Sequence, residues 1–248
     1  MGEHFQLNTG AGREFAIEVD PRTVSAADVQ ALADMGFNRI SLGVQDVDAG
    51  VQAAVNRVQP LEQVRAVIEA ARHTRFESVS VDLIYGLPRQ NAETFTRTLD
   101  AVAELRPDRV AVYGYAHLPQ LFKAQKQIDE RQLPDGALRL KLLGLAVERL
   151  VAAGYEYLGL DHFALPGDEL VRAQREGTLV RNFQGYSTHG GTDLLGMGMS
   201  AISQVGAAYV QNLKTLEGYY AAIEAGHLPV ERGVRLTQDD LIRRHVIQ

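Results

Sequence analysis

The sequence predicts an α/β fold, a partial (β/α) barrel with parallel strands followed by a mostly helical C-terminal region. Three observations predict it. Short β-rich runs alternate with amphipathic stretches up to about residue 160, the order of parallel strands joined by crossover helices. The runs are near-continuously apolar, as in a sheet covered on both faces. Polar groups gather where each run stops, the place where open and barrel α/β folds bind ligands.

The first run, Phe15–Val19, closes with Glu18 and Asp20. Ser25 with Asp28 reads as a capping box, and Gly36 ends that helix. The second run, Arg39–Val44, closes with Gln45 and Asp46. Leu61, Val64, Ile68 and Ala71 then recur at helical spacing. Asp82 interrupts the third run, Ser78–Ile84. Asn91 is the expected N-cap of a helix carrying Phe95, Leu99, Val102 and Leu105, and Pro107 stops it. The fourth run, Arg109–Tyr115, brings Tyr113, Tyr115 and His117 to its end. A longer helix, Ala137–Ala152, ends at Gly154, and a fifth run, Tyr155–Leu160, precedes Asp161 and His162.

Beyond residue 160 the pattern changes. Residues 182–206 are rich in Gly, Ser and Thr around a buried-looking Leu194-Leu195 pair, and residues 213–226 and 237–247 read as helices. The expected division is a barrel part over 14–160, an irregular and helical segment over 161–232 covering the barrel mouth, and the start of a helical domain over 233–248.

Composition excludes several functions. Lys plus Arg is 25 and Asp plus Glu is 31, a net charge of −6, which gives no footprint for nucleic acid or an anionic membrane. Charges break every apolar stretch short of a membrane span, and Glu3, Arg13, Glu14, Glu18 and Asp20 are foreign to a signal peptide. A cytoplasmic location is the default expectation. The chain has no cysteine. Disulfides, thiol nucleophiles, cysteine-ligated zinc and an iron–sulfur cluster held by its own thiolates are therefore ruled out.

The motifs differ in what they carry. Gly196-Met197-Gly198-Met199-Ser200-Ala201 matches a short dinucleotide fingerprint, but no βαβ unit surrounds it, and close backbone packing or a tight turn explains it better. His117, Asp161 and His162 offer zinc ligands without HxH or HExxH spacing, and hydrogen-bonded structural histidines are the better reading. A serine hydrolase elbow is missing. Glu18, Gln45, Arg57 and Asp82 form a different constellation: two carboxylates, an amide and a guanidinium. Carboxylates accept from ribose hydroxyls or an amino group, and arginine grips a carboxylate through paired hydrogen bonds. A zwitterionic, ribose-bearing ligand satisfies all four. A salt-bridge network closing the sheet end is the alternative.

At these residues the chain resembles the oxygen-independent coproporphyrinogen III oxidases, radical S-adenosylmethionine enzymes of haem biosynthesis. The resemblance rests on Ile17-Glu18-Val19-Asp20-Pro21-Arg22, Ser41-Leu42-Gly43-Val44-Gln45-Asp46, Ala54-Val55-Asn56-Arg57 and Val81-Asp82-Leu83-Ile84-Tyr85-Gly86-Leu87-Pro88. It continues through Tyr115-Ala116-His117-Leu118-Pro119, Asp161-His162-Phe163-Ala164-Leu165-Pro166, Arg181-Asn182-Phe183-Gln184-Gly185-Tyr186 and Ser200-Ala201-Ile202-Ser203, so it spans about residues 15–248.

The resemblance implies a six-stranded partial barrel followed by a helical region. It implies two bound S-adenosylmethionine molecules, with Glu18, Gln45, Arg57, Asp82, Ala116, Gln184 and Ile202 as binding residues. The implied substrate is coproporphyrinogen III, two of whose propionates are oxidatively decarboxylated to vinyl groups, giving protoporphyrinogen IX. A reduced [4Fe–4S] cluster cleaves the cofactor to a deoxyadenosyl radical, and the protein positions and shields it. In the family the cluster cysteines, in a C-x-x-x-C-x-x-C loop, lie upstream of the first residue here. The chain thus reads as an internal fragment, unable by itself to hold the cluster or run the chemistry. The other reading is a cluster-free, non-catalytic relative that binds S-adenosylmethionine, porphyrin or haem. With earlier barrel strands missing, the Phe15–Val19 strand becomes an open edge through which the chain is expected to self-associate.

Overall fold

Large apolar residues recur at every second position along the first four strands, so each strand turns one face to a core. A computed structural model describes residues 5–8, 10, 12–182 and 184–247. Phe183, within one quoted motif, lies outside the described residues. The chain divides into two compact units, residues 1–172 and 173–248.

In the first unit β1 (Ala16–Val19), β2 (Arg39–Gln45), β3 (Ser78–Tyr85) and β4 (Arg109–Gly114) pair in parallel in that order. Their connections are α1 (Ala26–Asp34), α2 (Ala49–Ala54), α3 (Leu61–Arg72) and α4 (Ala92–Leu105), and α5 (Gly136–Ala152) follows. Ile40, Leu42, Val79, Val81, Leu83, Val110 and Val112 form one buried cluster with Val64 and Ile68 of α3, Phe95 and Leu99 of α4, and Leu142 and Leu150 of α5. Burial of this apolar area is what holds the layers together.

The opposite face of the sheet is polar. Register aligns Glu18 with Ser41 and Ser41 with Ser80. In the next row Gly43, Asp82, Ala111 and His162 lie side by side. The strands thus alternate apolar and polar residues, which corrects the expectation of near-continuously apolar runs. The Ser, Gly and Ala residues of that face blur the alternation in the sequence.

The fifth run is also corrected. β5 (Glu156–Gly159) and β6 (His162–Ala164) form an antiparallel hairpin, and β6 pairs antiparallel with β4, giving the order β1-β2-β3-β4-β6-β5. Positive φ at Gly159 (117°) and Leu160 (53°) lets the chain reverse there. β1 and β5 are the edges.

The local signals behave as their chemistry requires. Ser25 and Asp28 close a capping box, Asn91 caps α4, and Arg106 takes a left-handed conformation before Pro107. At the strand starts Arg39 meets Glu169 at 2.8 Å, and Arg109 meets Asp168 at 2.8 Å and Glu169 at 2.7 Å. The buried Tyr155 hydroxyl donates to the Pro107 carbonyl at 2.7 Å. Tyr155→Phe leaves that carbonyl without its partner, and chemical denaturation should record a loss of about 1–2 kcal/mol.

The second unit carries more strand than the sequence reading expects. β7 (Val180–Asn182) and β8 (Gly185–Ser187) form a hairpin after α6 (Glu169–Glu176). β9 (Ile202–Val205), β10 (Ala208–Asn212) and β11 (Val230–Arg235) form an antiparallel sheet in the order β11-β10-β9. The two expected helices are present as α7 (Leu216–Glu224) and α8 (Gln238–Ile247). Leu195, expected to be buried, is 61% exposed. Among the described residues no helix is long and apolar enough to cross a membrane.

Candidate functional site

The polar face is organised around a residue without a side chain. Gly43 sits in β2 beside Asp82 of β3. A Cβ built there would lie 2.9 Å from Gln45 Nε2 and 3.2 Å from an Arg57 terminal nitrogen. Both side chains therefore reach over Gly43, onto the face that bears Asp82 and Glu18. The four residues of the sequence constellation thus share one face, with Gln45 and Arg57 at Gly43 and Asp82 in the adjacent strand with Glu18 near it.

Each is held differently. Gln45 ends β2 with φ +67°, a conformation that L-residues rarely adopt. Arg57 follows α2 after a left-handed Asn56, and its backbone N–H donates to the Gln52 carbonyl at 2.9 Å. Its guanidinium donates to Asp20 Oδ2 at 3.0 Å and to the Gly43 carbonyl at 2.7 Å. The buried Arg57 Nε finds no acceptor. Arg57 pairs with Asp20 rather than with Glu18 or Asp82, so the alternative of one network joining all four does not describe the geometry.

The electrostatics follow. Hydrogen bonds from Arg22, aided by the Arg57 charge, hold the Asp20 carboxyl down at about 2 despite partial burial. Asp82 goes the other way. Burial pushes it up to about 6, and the neighbouring Glu18 carboxylate adds to this; the Ser41 hydroxyl, 3.1 Å from Oδ2, and the nearby His162 oppose it. Asp82 is thus a carboxyl poised near neutrality on a face that also carries a cation.

Gln45 and Arg57 line a cavity of about 430 Å³ with Ile84, Leu87 and Tyr115, a volume suited to a small ligand. Ala116 sits beside it, because Gln125, also in the lining, donates to the Ala116 carbonyl at 3.0 Å. Gln184 and Ile202 belong to the second unit, where they line a hollow of about 410 Å³ with Leu194, Leu195, Gly196 and Met197. Gly196 is tight against β9: a Cβ there would lie 2.6 Å from the Ile202 carbonyl oxygen. Of the two readings of the glycine-rich motif, this is the close backbone packing. The histidines are hydrogen-bonded, His117 to Glu130 at 3.1 Å and His162 to Asp161 at 2.6 Å. No group of three or more metal-ligating side chains occurs among the described residues.

Sequence reasoning missed Gly43 and the role of Asp20. Asp20 was visible at the strand tip, but its pairing with Arg57 is a long-range contact. Gly43 gave one signal, a glycine inside an apolar strand run, which marks a close approach.

Comparisons with known proteins place the family and the fold. Residues 3–102 match the model of the Radical SAM superfamily. The chain is 49% identical over 99% of its length to the oxygen-independent coproporphyrinogen III oxidase of Pseudomonas aeruginosa, of which it covers 53%. It is 49% identical over 94% of its length to that of Thermostichus vulcanus, covering 72% of it. A solved structure of the coproporphyrinogen III oxidase from Escherichia coli, described as a radical SAM enzyme, superposes with a TM-score of 0.92 at 50% identity, over 96% of this chain and 55% of that one. The chain spans about half the length of most of these relatives. With a parallel sheet, helices on one face and this degree of identity, the chain belongs to the oxygen-independent coproporphyrinogen III oxidase family of the radical SAM superfamily.

Proposed function

We propose that the polar face around Gly43 holds S-adenosylmethionine, and that the chain contributes this site to the oxidative decarboxylation of coproporphyrinogen III to protoporphyrinogen IX. One observation carries the reading: Glu18, Gln45, Arg57 and Asp82 converge on one face beside a cavity of about 430 Å³. The donor set fits the ligand. Each terminal nitrogen of Arg57 makes one hydrogen bond and keeps a second N–H for the amino acid carboxylate. Glu18 and Asp82 are acceptors for the ribose hydroxyls and the ammonium group and balance the sulfonium charge. The Gln45 amide both donates and accepts. Ala116 lends backbone contact at the cavity, and Gln184 with Ile202 offers the same ligand class a place in the second unit, in line with two molecules per enzyme. A bound S-adenosylmethionine would, given one electron from an iron–sulfur cluster outside this chain, release methionine and supply the deoxyadenosyl radical that takes hydrogen from the propionate.

An iron–sulfur cluster does not fit this chain, which has no thiolate to offer. The chain alone therefore holds the nucleoside without cleaving it. Calorimetric titration tests the binding claim. S-adenosylmethionine should bind the wild-type chain, and Arg57→Ala should bind it about tenfold or more weakly, the worth of a charge-assisted hydrogen bond. Equal affinities overturn the assignment.

Among the described residues β1 is an edge of its sheet, and an edge strand offers backbone groups to another chain, so the isolated chain self-associates through it. Light scattering should find dimers or larger species; a monodisperse monomer that melts cooperatively contradicts this.

A further inference from the structure

Gln45 closes a three-residue turn. The Asp46 N–H donates to the Val44 carbonyl at 2.8 Å across a left-handed Gln45. Such turns are rare outside glycine and persist only where the surroundings hold them. The β2–β3 register also slips between Gly43 and Gln45, which re-aims the Gln45 side chain.

What holds the turn is buried and polar. Asp46 is 2% exposed. Its Oδ1 accepts from the Asp48 N–H at 2.7 Å and the Thr98 hydroxyl at 2.8 Å, and its Oδ2 accepts from Gln90 Nε2 at 2.6 Å. Gln52 Nε2 donates to the Asp46 carbonyl at 2.9 Å and to the Gln59 carbonyl at 3.0 Å, while Gln52 Oε1 accepts from the Gln59 N–H at 3.1 Å. Gln59 Nε2 returns to the Val44 carbonyl, on the other side of the turn. Gln90 Nε2 also donates to the Ile84 carbonyl at 2.9 Å, and its Oε1 accepts from Gly86 and Leu87. Apolar side chains would fill this space at less desolvation cost, but they would not fix one backbone geometry. None of these lattice residues lines the cavity. Every segment they tie does: Gln45, Arg57, and Ile84 with Leu87.

We propose that Asp46 is a positioning residue: with Gln52, Gln59, Gln90 and Thr98 it locks the left-handed turn at Gln45 and so aims the Gln45 amide and the Arg57 guanidinium over Gly43. The proposal deepens the nucleoside-binding reading and rests on it for its ligand. Asp46→Asn keeps size and shape but turns an N–H₂ group toward donors. Hydrogen exchange should show residues 44–48 and 56–59 losing protection together, with β3 and α4 unchanged. S-adenosylmethionine affinity should fall about tenfold, as for misplaced binding groups. Tyr155→Phe, which weakens the fold without touching the turn, should leave affinity per folded molecule at the wild-type value. Gln90→Met should repeat the affinity loss and the loss of protection over 44–48, with added loss at Gly86 and Leu87, whose N–H groups Gln90 also holds, and it decides the matter where Asp46→Asn does not fold. If the wild-type chain binds no nucleoside, the binding reading fails, and the exchange result alone judges the lock. Wild-type affinity and unchanged exchange in both variants overturn the proposal, as does an affinity loss in Tyr155→Phe equal to theirs.

Discussion

Gly43→Val lowers S-adenosylmethionine affinity by about two orders of magnitude while the sheet still forms. The valine Cβ would occupy space 2.9 Å from Gln45 Nε2 and 3.2 Å from the Arg57 guanidinium. Both are ends of flexible side chains, so they swing aside and the backbone survives. Valine also suits a strand. Binding suffers because the guanidinium loses its 2.7 Å bond to the Gly43 carbonyl and its place beside Asp20. Losing one hydrogen bond to a charged group costs about 1.5–3 kcal/mol, and the Gln45 amide is displaced in the same stroke. Gly43→Ala intrudes less and should fall between. Titration calorimetry on the two variants, with circular dichroism to verify the fold, checks the order; a Gly43→Val chain that binds as well as wild type refutes it.

Asp82→Asn should do something less intuitive: stabilise the free chain and cripple binding. Burial pushes the Asp82 pKa up from 3.8 to about 6. The folded state therefore binds this proton more tightly than the unfolded state does. The stabilisation from the protonated form is fully present below about pH 4 and is lost as pH rises through about 6. At pH 7.5 the ionised carboxylate costs the fold about 3 kcal/mol relative to a neutral group. Asparagine removes that cost, and its carbonyl oxygen can still accept from Ser41. Melting temperatures measured from pH 4 to 8 should show variant and wild type converging at the acid end and diverging above pH 6. No gain at pH 7.5 contradicts the raised value. Binding falls because a neutral amide replaces the carboxylate facing a cationic ligand. That opposition is expected of a residue kept for binding rather than for folding.

Sequence reasoning reached the helices most surely because their signals are local. Ser25 with Asp28, Asn91 and Gly36 act within a few residues of themselves. The strand tips were legible for the same reason and nominated Glu18 and Gln45; Asp82 stood out inside an apolar run, and Arg57, in the loop after α2, joined them by its chemistry alone. The polar face was not. Ser41, Gly43, Ser80 and Ala111 are small and nearly neutral in hydropathy, so an alternating strand passed for a continuous apolar one. The β5–β6 hairpin escaped because β6 is only three residues long, shorter than any period can reveal. The strands β9 to β11 hid in glycine-rich and charged segments. The left-handed turn at Gln45 had no signature either, since nothing local requires positive φ of a glutamine. It exists because the neighbouring Asp46 is itself held by buried Gln52 and Gln90, and Gln59 holds the Val44 carbonyl, through bonds no local pattern reveals.

Crystals of this chain grown with S-adenosylmethionine would show where the nucleoside sits. The account predicts the nucleoside on the polar face of the sheet, with its carboxylate on Arg57 and its ribose or ammonium group within hydrogen-bonding distance of Glu18 or Asp82. A nucleoside bound on another surface, with Arg57 still paired only to Asp20 and Gly43, would contradict it.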